Sequence, residues 1–365
     1  MDTNVSGEAQ ASPKNDASPP QAMMMRAIGG MTFALIIKCA LDLGVFRVLQ
    51  EGVSTTGEIA KSLNVDRSAL QRLLRALVST GVFVEVEPNR YTLTDLGATL
   101  LPGPTPASIE PLVRFLLDES TIVSLMKLSE CVRTGRPSLR QDENVGWYAQ
   151  HPERVLLMDR GMEVYSKISL PNLLAAYPFS QFNVVVDVAG GVGQLLAGIL
   201  KTQANMKGIL LDRSDTIQRA AGYMKTAGLE ERCELISGNM FDEIPTGGDL
   251  YVLSKTVNNW DDEHAVRILR NVRSAMSTKG KLVKLVIVEN LGSNSPSPEE
   301  VFRDMICLAS TSGKVRTESE LRELILQADL KLTRIVHTSS PFSIIECQLP
   351  TASVEELAVF EPSDL

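Results

Sequence analysis

The chain has 365 residues and a formal net charge of -8, with a sequence pI of about 5.2. A chain of this length can bury a large core and is expected to hold two domains. The acidic balance argues against a nucleic-acid partner reached through a broad basic surface. Five scattered cysteines show no CxxC or Cys/His spacing, which indicates reduced thiols in a cytoplasmic protein and predicts no metal site.

The N-terminal region changes character after residue 20. Its start, "MDTNVSGEAQASPKNDASPP", is polar and rich in Ser, Pro and Asn, which predicts a disordered tail over 1–20 without a signal peptide. Residues 21–50 are apolar enough for helices that one small domain can rarely bury alone, so they predict a homodimer. The apolar run 31–37 is interrupted by Lys38 and Asp42, which we interpret as too soon to span a membrane.

Residues 54–100 have the order helix, helix, hairpin, which is typical of a winged helix. Thr56 is expected to cap the first helix and Asp66 the second, and "VFVEVE" and "RYTLT" are expected to pair as the hairpin. A winged helix can bind DNA or serve in dimerisation, and the acidic chain favours dimerisation. The residues that would contact DNA are Arg67, Arg72 and Arg75.

Residues 105–170 are mainly helical by pattern, with a break at Pro137 and "RQDENVG". Residues 112–130 and 158–166 should line an apolar pocket that suits a flat aromatic or polyketide compound. The expected organisation is a tail over 1–20, a helical winged-helix dimerisation and substrate-lid domain over 21–165, a second domain over 166–350, and an acidic tail over 351–365.

From residue 184 onward, apolar strands alternate with helices. The strands are "VVVDVA", "GILLDR", "CELISGN", "DLYVLSKTV" and "KLVKLVIVEN", and helices are expected at 214–228, 261–278 and 318–328. "LTRIVHTSS" and "PFSIIECQL" are close enough to pair antiparallel. This pattern predicts an α/β fold with a doubly wound, Rossmann-like sheet and a terminal antiparallel hairpin.

A glycine loop, "GGVG", follows the first of these strands. Glycines let the backbone approach a nucleotide-like ligand, and the next helix offers free N–H groups there. The third glycine of a dinucleotide fingerprint is replaced by Leu196, so an NAD or FAD pyrophosphate is disfavoured. Asp187 adds a carboxylate that suits a cationic ligand, and Asp212 is placed to accept both hydroxyls of a ribose.

The segments "VVVDVAGGVG", "NNWDDEHAVRIL" and "GKVRTESEL" together resemble the S-adenosylmethionine-dependent O-methyltransferases that act on small natural products. The resemblance covers nearly the whole chain and implies S-adenosylmethionine as cofactor, a natural-product acceptor and a winged-helix dimerisation domain. It implies cofactor contacts from Asp187, Gly190, Gly191 and Gly193 at the methionine part, Asp212 at the ribose, Asn239 and Met240 at the adenine, and Lys255 near the adenine edge. The implied substrate contacts are Met162, Trp260 and Met305.

The sequence departs from the family pattern at three places. Ala189 replaces the first of three glycines, and Asn239 stands where aspartate is usual. Asn258-Asn259 stands where the family usually has His-Asp before the tryptophan. In the family, that histidine removes the phenolic proton of the acceptor, and an amide cannot do so.

Three hypotheses follow for Asn258. Methyl transfer can persist without a base if the acceptor arrives partly ionised and Asn258 orients its oxygen. Alternatively, the cofactor is a fixed positive charge for a non-methylating reaction, such as pericyclic cyclisation, dehydration or hydroxylation. A third alternative is a non-catalytic winged-helix regulator.

Other polar groups are available to each hypothesis. Asn259 and the pair Arg303–Asp304 would suit a polar pocket, although the pair can also be an ordinary ion pair. Glu289, which ends the fifth strand, is the best remaining carboxylate near the cleft. The histidines, which have the character of surface residues, are His151, His264 and His337.

Overall fold

The computed structural model describes residues 19–103, 108–138, 151–276 and 283–350. Apart from Pro19 and Pro20, the predicted tails lie outside these residues, as does the break predicted at "RQDENVG". The chain divides into two compact units, Met1–Ala107 and Ser108–Leu365. The structure therefore joins the described residues 108–138 and 151–165 to the second unit, whereas the sequence expectation grouped them with the first.

The first unit contains the predicted order of helix, helix and hairpin. Its elements are α1 (Pro20–Leu43), α2 (Val45–Gln50), α3 (Thr56–Leu63), α4 (Arg67–Ser79), β1 (Phe83–Glu87), β2 (Arg90–Leu93) and α5 (Asp95–Ala98). The prediction that Thr56 caps α3 is wrong, because Thr55 accepts the Glu58 N–H and the Glu58 carboxylate accepts the Thr55 N–H. This capping box satisfies two N–H groups reciprocally. Asp66 caps α4 as predicted, by accepting the Ala69 N–H at 2.7 Å.

Helix α1 is long, apolar and poorly covered. Five of its apolar side chains are between 59% and 66% exposed, namely Met23, Met24, Met25, Ile28 and Met31. The helix continues through Lys38 and Asp42, which form an i,i+4 ion pair. The apolar run 31–37 is interrupted by these charges, but the helix that contains it is longer than the run. By length and composition alone, with a mean hydropathy of 1.5, this helix could cross a membrane.

The second unit is an α/β sandwich around one sheet. Its helices are α6 (Glu110–Leu116), α7 (Glu119–Met126), α8 (Leu128–Thr134), α9 (Pro152–Ala176), α10 (Gln194–Thr202), α11 (Ser214–Thr226), α12 (Asp262–Ala275), α13 (Pro298–Ser310) and α14 (Glu318–Gln327). Its strands are β3 (Val184–Val188), β4 (Lys207–Asp212), β5 (Cys233–Ser237), β6 (Leu250–Ser254), β7 (Lys284–Glu289), β8 (Lys331–His337) and β9 (Ser343–Gln348). The strand order is β5-β4-β3-β6-β7-β9-β8. Strands β3 to β7 are parallel, and β9 runs antiparallel to both β7 and β8. The predicted doubly wound sheet with its terminal hairpin is confirmed.

The central strands read as continuous apolar runs because helices cover both faces of the sheet. One core cluster includes α12 and α14, with Leu269 and Leu324, and the other includes α9 and α10, with Leu173 and Leu196. The strand order reverses between β3 and β6, which makes this the switch point where such sheets bind ligands. We call the carboxyl ends of β3, β4, β6 and β7 the carboxyl edge of the sheet.

The turn from β3 into α10 is sterically tight. A Cβ on Gly190 would lie 2.5 Å from Cγ of Asp187, and one on Gly193 would lie 2.3 Å from Cε of Met224. Ala189 adopts a left-handed conformation with φ of 55°. That conformation costs an L-residue about 1–2 kcal/mol, so the alanine at this position strains the turn.

Ala189→Gly is therefore expected to raise the free energy of unfolding by about 0.5–1 kcal/mol, because relief of the strain exceeds the entropy cost of glycine. The matched control is Ala221→Gly in the exposed interior of α11, which should lower it by about 0.5–1 kcal/mol. Chemical denaturation of both variants measures the difference. Equal losses in the two variants would show that the turn tolerates alanine without strain.

Candidate active site

Asp212 joins the glycine loop to the end of β4. Its Oδ2 accepts the N–H of Gly191 and its Oδ1 accepts the N–H of Arg213, both at 2.8 Å. A Cβ built on Gly191 meets no atom within 4 Å, so the loop faces open space at that point. Each carboxylate oxygen can accept more than one hydrogen bond. Asp212 can therefore shape the loop and still accept hydroxyl groups from a ligand.

Asp187 is a buried acid at the end of β3, only 1% exposed. Neither of its carboxylate oxygens forms a hydrogen bond of normal geometry with a described residue, although the backbone N–H of Leu196 is near enough to lower its pKa. Burial raises the pKa of Asp187 to about 7, against the opposing effect of the Lys255 charge. A buried carboxylate without a partner is costly. This site therefore fits a ligand that brings a positive charge to the loop.

Lys255 follows β6 with a left-handed φ of 56°. Its Nζ donates to Oγ of Ser166 on α9 at 2.8 Å and lies 5.6 Å from the ring centroid of Phe342. Burial lowers the pKa of Lys255, whereas the charges of Asp187 and Glu289 raise it. The ammonium group thus lies in the field of both buried carboxylates.

Glu289 and Asn258 are in direct contact at the ends of β7 and β6. Glu289 is 3% exposed, and its Oε1 accepts the backbone N–H of Asn258 at 3.2 Å. Burial raises the pKa of Glu289 to about 7, although backbone N–H groups of Asn258 and Thr256 oppose the shift. The Nδ2 of Asn258 donates to the carbonyl oxygen of Asn290 at 2.9 Å. The buried amide is therefore anchored through both its backbone and its side chain.

The neighbouring Asn259 and Trp260 point to other groups. Asn259 is exposed, and its Nδ2 donates to the carbonyl oxygen of Lys255 at 3.0 Å. Trp260 packs edge-to-face on Phe241 with ring centroids 4.7 Å apart. This contact places Trp260 beside the segment that the resemblance assigns to the adenine.

That segment is the turn after β5. The Oδ1 of Asn239 accepts the Phe241 N–H at 3.0 Å, so this side chain closes its own turn. The carbonyl oxygen of Met240 accepts a hydrogen bond from Nδ2 of Asn271 at 3.0 Å. The turn is thereby tied to α12, and the half-buried Met240 side chain packs against the core.

Helix α13 carries the predicted Arg303, Asp304 and Met305. Asp304 accepts the N–H of Val315 at 2.8 Å. Arg303 has a buried Nε without a hydrogen-bond partner among the described residues. Within the same residues, the two side chains form no ion pair, so the alternative of an ordinary Arg303–Asp304 pair is wrong. Met305 on α13 and Met162 on α9 are both half-buried.

Arg316 is a site residue that the sequence analysis missed. It is fully buried, and its guanidinium donates to the carbonyl oxygens of Val257 and Trp260 at 2.9 and 2.7 Å and to Oδ1 of Asp262. These bonds hold residues 257–260, which we call the Asn258 turn. The arginine lies inside "GKVRTESEL", next to a capping box of Thr317 and Glu320. The capping box could have pointed to Arg316 from the sequence, because a cap fixes the path of the chain that enters α14.

Gly313 supports the same turn by close approach. A Cβ on Gly313 would lie 2.0 Å from the carbonyl oxygen of Asn258 and 2.6 Å from the nitrogen of Trp260. Both of these atoms belong to the backbone, so the clash could not be relieved by a rotamer change. Only glycine fits here.

The histidines make local contacts. Nδ1 of His264 lies 2.7 Å from Oδ1 of Asp261 at the start of α12, and Nδ1 of His337 lies 3.1 Å from Oγ of Ser343 in the terminal hairpin. His151 precedes α9. In the described ranges, no cluster of three or more His, Cys, Asp or Glu residues could hold a metal ion.

The sheet with helices on both faces is an α/β fold. Its glycine loop and the carboxylates at the switch point are typical of an enzyme that binds a cationic nucleoside cofactor. Residues 126–331 match the family model of the O-methyltransferase domain, and residues 25–103 match that of the O-methyltransferase dimerisation domain. The chain belongs to the S-adenosylmethionine-dependent O-methyltransferase family. The enzyme class, the cofactor and the winged-helix type of N-terminal domain expected from the sequence are confirmed.

The relatives modify natural products. The chain is 31% identical to the phenazine O-methyltransferase PhzM of Lysobacter antibioticus, over 91% of this chain and 97% of the relative. It is 30% identical to the mitomycin biosynthesis 6-O-methyltransferase of Streptomyces lavendulae, over 92% and 98%. The structure of LaPhzM superposes with a TM-score of 0.84 at 30% identity, covering 91% of this chain and all of the other.

A fourth comparison includes bound ligands. The O-methyltransferase NcsB1 from neocarzinostatin biosynthesis, in complex with S-adenosylmethionine and 2-hydroxy-5-methyl naphthoic acid, has a TM-score of 0.76 and 27% identity. It covers 89% of this chain and 98% of its own length.

The buried Glu289 generates a prediction about stability and pH. Its folded-state pKa of about 7 is above its ordinary value of 4.5, so the folded state binds the proton more tightly. The free energy of unfolding should therefore fall as pH rises from 5 to 8, by on the order of 1–3 kcal/mol from this group. Glu289→Gln should remove that part of the decline, measured by urea unfolding of the ligand-free protein at both pH values.

Glu346→Gln is the control for this experiment. Burial raises the pKa of Glu346, but hydrogen bonds from Lys284, Tyr177 and Thr333 outweigh it and lower the pKa to about 2. Glu346 is therefore ionised at pH 5 and at pH 8, and its replacement should cost the same stability at both. An unchanged pH dependence in Glu289→Gln would show that Glu289 ionises freely in the folded protein.

Loss of Arg316 should loosen the Asn258 turn. Arg316→Ala is expected to lower the free energy of unfolding by about 2–4 kcal/mol, because buried carbonyl oxygens lose charged donors. Arg316→Lys should recover part of this loss, since lysine lacks the planar fork. The control is Arg322→Ala, which breaks an exposed pair with Glu318 and should cost less than about 0.5 kcal/mol. Equal losses at positions 316 and 322 in urea unfolding would contradict the assignment.

Proposed function

We propose that the protein transfers a methyl group from S-adenosylmethionine to an oxygen of a small aromatic or polyketide natural product, without a histidine base. The observation that carries this proposal is the buried carboxylate of Asp187, which has no hydrogen-bond partner of normal geometry in the part of the chain that the structure describes, beside an open glycine loop. A carboxylate held in this way is matched to a cationic ligand.

The charges at the carboxyl edge support the same cofactor. Asp187, Asp212, Glu289 and Lys255, when ionised, sum to two negative charges, which favours a cofactor that carries a net positive charge. Asp187 and the backbone of Gly191 and Gly193 would hold its methionine part, and Asp212 its ribose. When bound, the cofactor supplies an electrophilic methyl group on a sulfonium. The residues of the chain bind it and keep its charge compensated.

Asn258 orients the acceptor in this mechanism. An amide nitrogen has two hydrogens, and donation to Asn290 leaves one for the acceptor oxygen. The amide cannot take a proton from the acceptor at neutral pH, so the acceptor must reach the site already ionised. Positioning of a reactive oxygen can supply several kcal/mol of the acceleration. Arg316 keeps the amide in place by holding its turn.

The acceptor class is supported by the relatives. Naphthoate, phenazine and mitomycin compounds appear in their names, which favours a planar ring system here too. We propose a cytoplasmic homodimer formed through the dimerisation domain, in which the exposed apolar side chains of α1 are covered by a second copy. In this arrangement Arg67, Arg72 and Arg75 serve no nucleic acid.

Incubation with methyl-labelled S-adenosylmethionine and a panel of acidic phenols, enols and hydroxy-naphthoates tests the function. Label should move to the acceptor, fastest for acceptors that are ionised at the assay pH. Asn258→Ala should slow transfer to those acceptors, because it removes the orienting donor. A product without label, of unchanged mass, would replace methyl transfer by the base-free rearrangement.

Asn258→His tests the missing base separately. A histidine in good geometry contributes about 10²–10⁴-fold through general-base catalysis, so this variant should gain rate mainly toward weakly acidic phenols. Asn259→His, on the exposed neighbour, is the control and should leave the order of acceptors unchanged. If both Asn258→His and Asn258→Ala transfer label at the wild-type rate with every acceptor, Asn258 does not face the reaction.

A further inference from the structure

Arg303 is a cation that the proposed mechanism does not use. Its Nε is buried and makes no hydrogen bond to any described residue. Asp304 is engaged by the Val315 N–H. Glu300, one turn before Arg303, forms no ion pair with it in the described part of the chain, and its Oε2 is itself buried without a hydrogen-bond partner.

The position of Arg303 points toward the cleft beside the Asn258 turn. Arg303 and Cys307 lie one turn apart on the same face of α13. Cys307 lies in the field of Glu289, whose charge adds to burial in raising the pKa of this thiol to about 12. Asp304, the next residue on α13, accepts the N–H of Val315, which directly precedes Arg316 and its bonds to the Asn258 turn, so this part of α13 lies beside that turn.

The charge of Arg303 also acts on a residue of α9. Burial raises the pKa of the half-buried Tyr165 phenol, and the charge of Arg303 opposes that shift. Tyr165 precedes Ser166, which binds the ammonium of Lys255. Its ring packs edge-to-face on Phe342 at 6.2 Å. Arg303 is therefore near enough to Tyr165 for its charge to act on that phenol, and Tyr165 is the sequence neighbour of the residue that binds Lys255.

We propose that Arg303 binds an anionic oxygen of the acceptor, either a ring carboxylate or an ionised ring hydroxyl. A guanidinium presents planar donors that pair well with such oxygens. The charge of Arg303 acts on the exposed Glu299, but its buried Nε has no hydrogen-bond partner in the described ranges, so an anionic ligand would satisfy it. This inference rests on the proposed function, because it takes the bound anion to be the methyl acceptor. It adds the residue that binds the anionic oxygen.

Three naphthalene probes separate the sources of the charge. 3-Hydroxy-2-naphthoate has a carboxylate, 2-hydroxy-1,4-naphthoquinone has a hydroxyl that is ionised at neutral pH, and 2-naphthol is neutral. Each is titrated calorimetrically into the full-length protein, with and without S-adenosylhomocysteine. The wild type should bind at least one of the anions roughly tenfold more tightly than 2-naphthol, which corresponds to about 1.4 kcal/mol.

Arg303→Gln should reduce this preference to less than about threefold, and Arg303→Lys should retain most of it because the charge remains. Arg322→Gln, on the exposed face of α14, should match the wild type. If Arg303→Gln weakens binding of the naphthoate alone, Arg303 binds a carboxylate. If it weakens binding of the quinone alone, Arg303 binds an ionised hydroxyl. Thermal unfolding of each variant identifies a fold defect, and Arg303→Lys gives the charge test independently of Arg303→Gln.

Retention of the full preference by Arg303→Gln would overturn the proposal. Equal binding of the three probes by the wild type, or binding of none, would also overturn it. Failure of the proposed function has a different signature, since it is measured by S-adenosylhomocysteine binding and label transfer. A protein that transfers no label but loses anion preference in Arg303→Gln would keep this inference for its ligand.

Discussion

Two buried carboxylates and a partly buried lysine at one edge of the sheet are the constraint on which the site depends. Parallel strands end at the same edge, so Asp187, Lys255 and Glu289 are brought together by topology rather than by sequence proximity. None of the three forms an ion pair within 4 Å with another described residue. The carboxylates respond with pKa values of about 7. The protein therefore tolerates a loss of stability at neutral pH that a bound cation would relieve.

The loop and the turn around these charges are held by backbone-directed contacts. Asp212 binds two N–H groups at the glycine loop, and Arg316 binds two carbonyl oxygens of the Asn258 turn. Asp304 holds Val315, which directly precedes Arg316. A network of this kind fixes the backbone whatever side chain occupies position 258. The replacement of a base by an amide can thus change the chemistry without changing the frame.

Much of this architecture could be predicted because it is local. Apolar runs bounded by turns predicted the strands, and Asp66 marked the start of α4. The Thr55 cap was misplaced by one residue because two threonines are adjacent and both can cap a helix. Arg316 was missed for a different reason. Its acceptors, at Val257, Trp260 and Asp262, are more than fifty residues away along the chain.

Arg303 shows a similar limit. Adjacent opposite charges suggested an ion pair, but successive residues on a helix point in different directions. Asp304 accepts the N–H of Val315, and the charge of Arg303 acts on the Tyr165 phenol. The grouping of residues 108–165 also depends on packing that pattern does not encode, since α9 contributes Leu173 to the core of the sheet domain.

The energetics of an absent base explain why a cation near the acceptor matters. A phenol with a pKa of about 10 is ionised to roughly one part in a thousand at pH 7, a cost of about 4 kcal/mol. General-base catalysis contributes about 10²–10⁴-fold in rate, which is comparable to this cost of ionisation. A neighbouring opposite charge lowers the pKa of an acid by about 1–3 units. An acceptor with a pKa near 8 beside the Arg303 guanidinium would therefore be mostly ionised at neutral pH. Acceptor acidity and a fixed cation then replace proton transfer, and an amide suffices at position 258 because it has only to hold the oxygen in line.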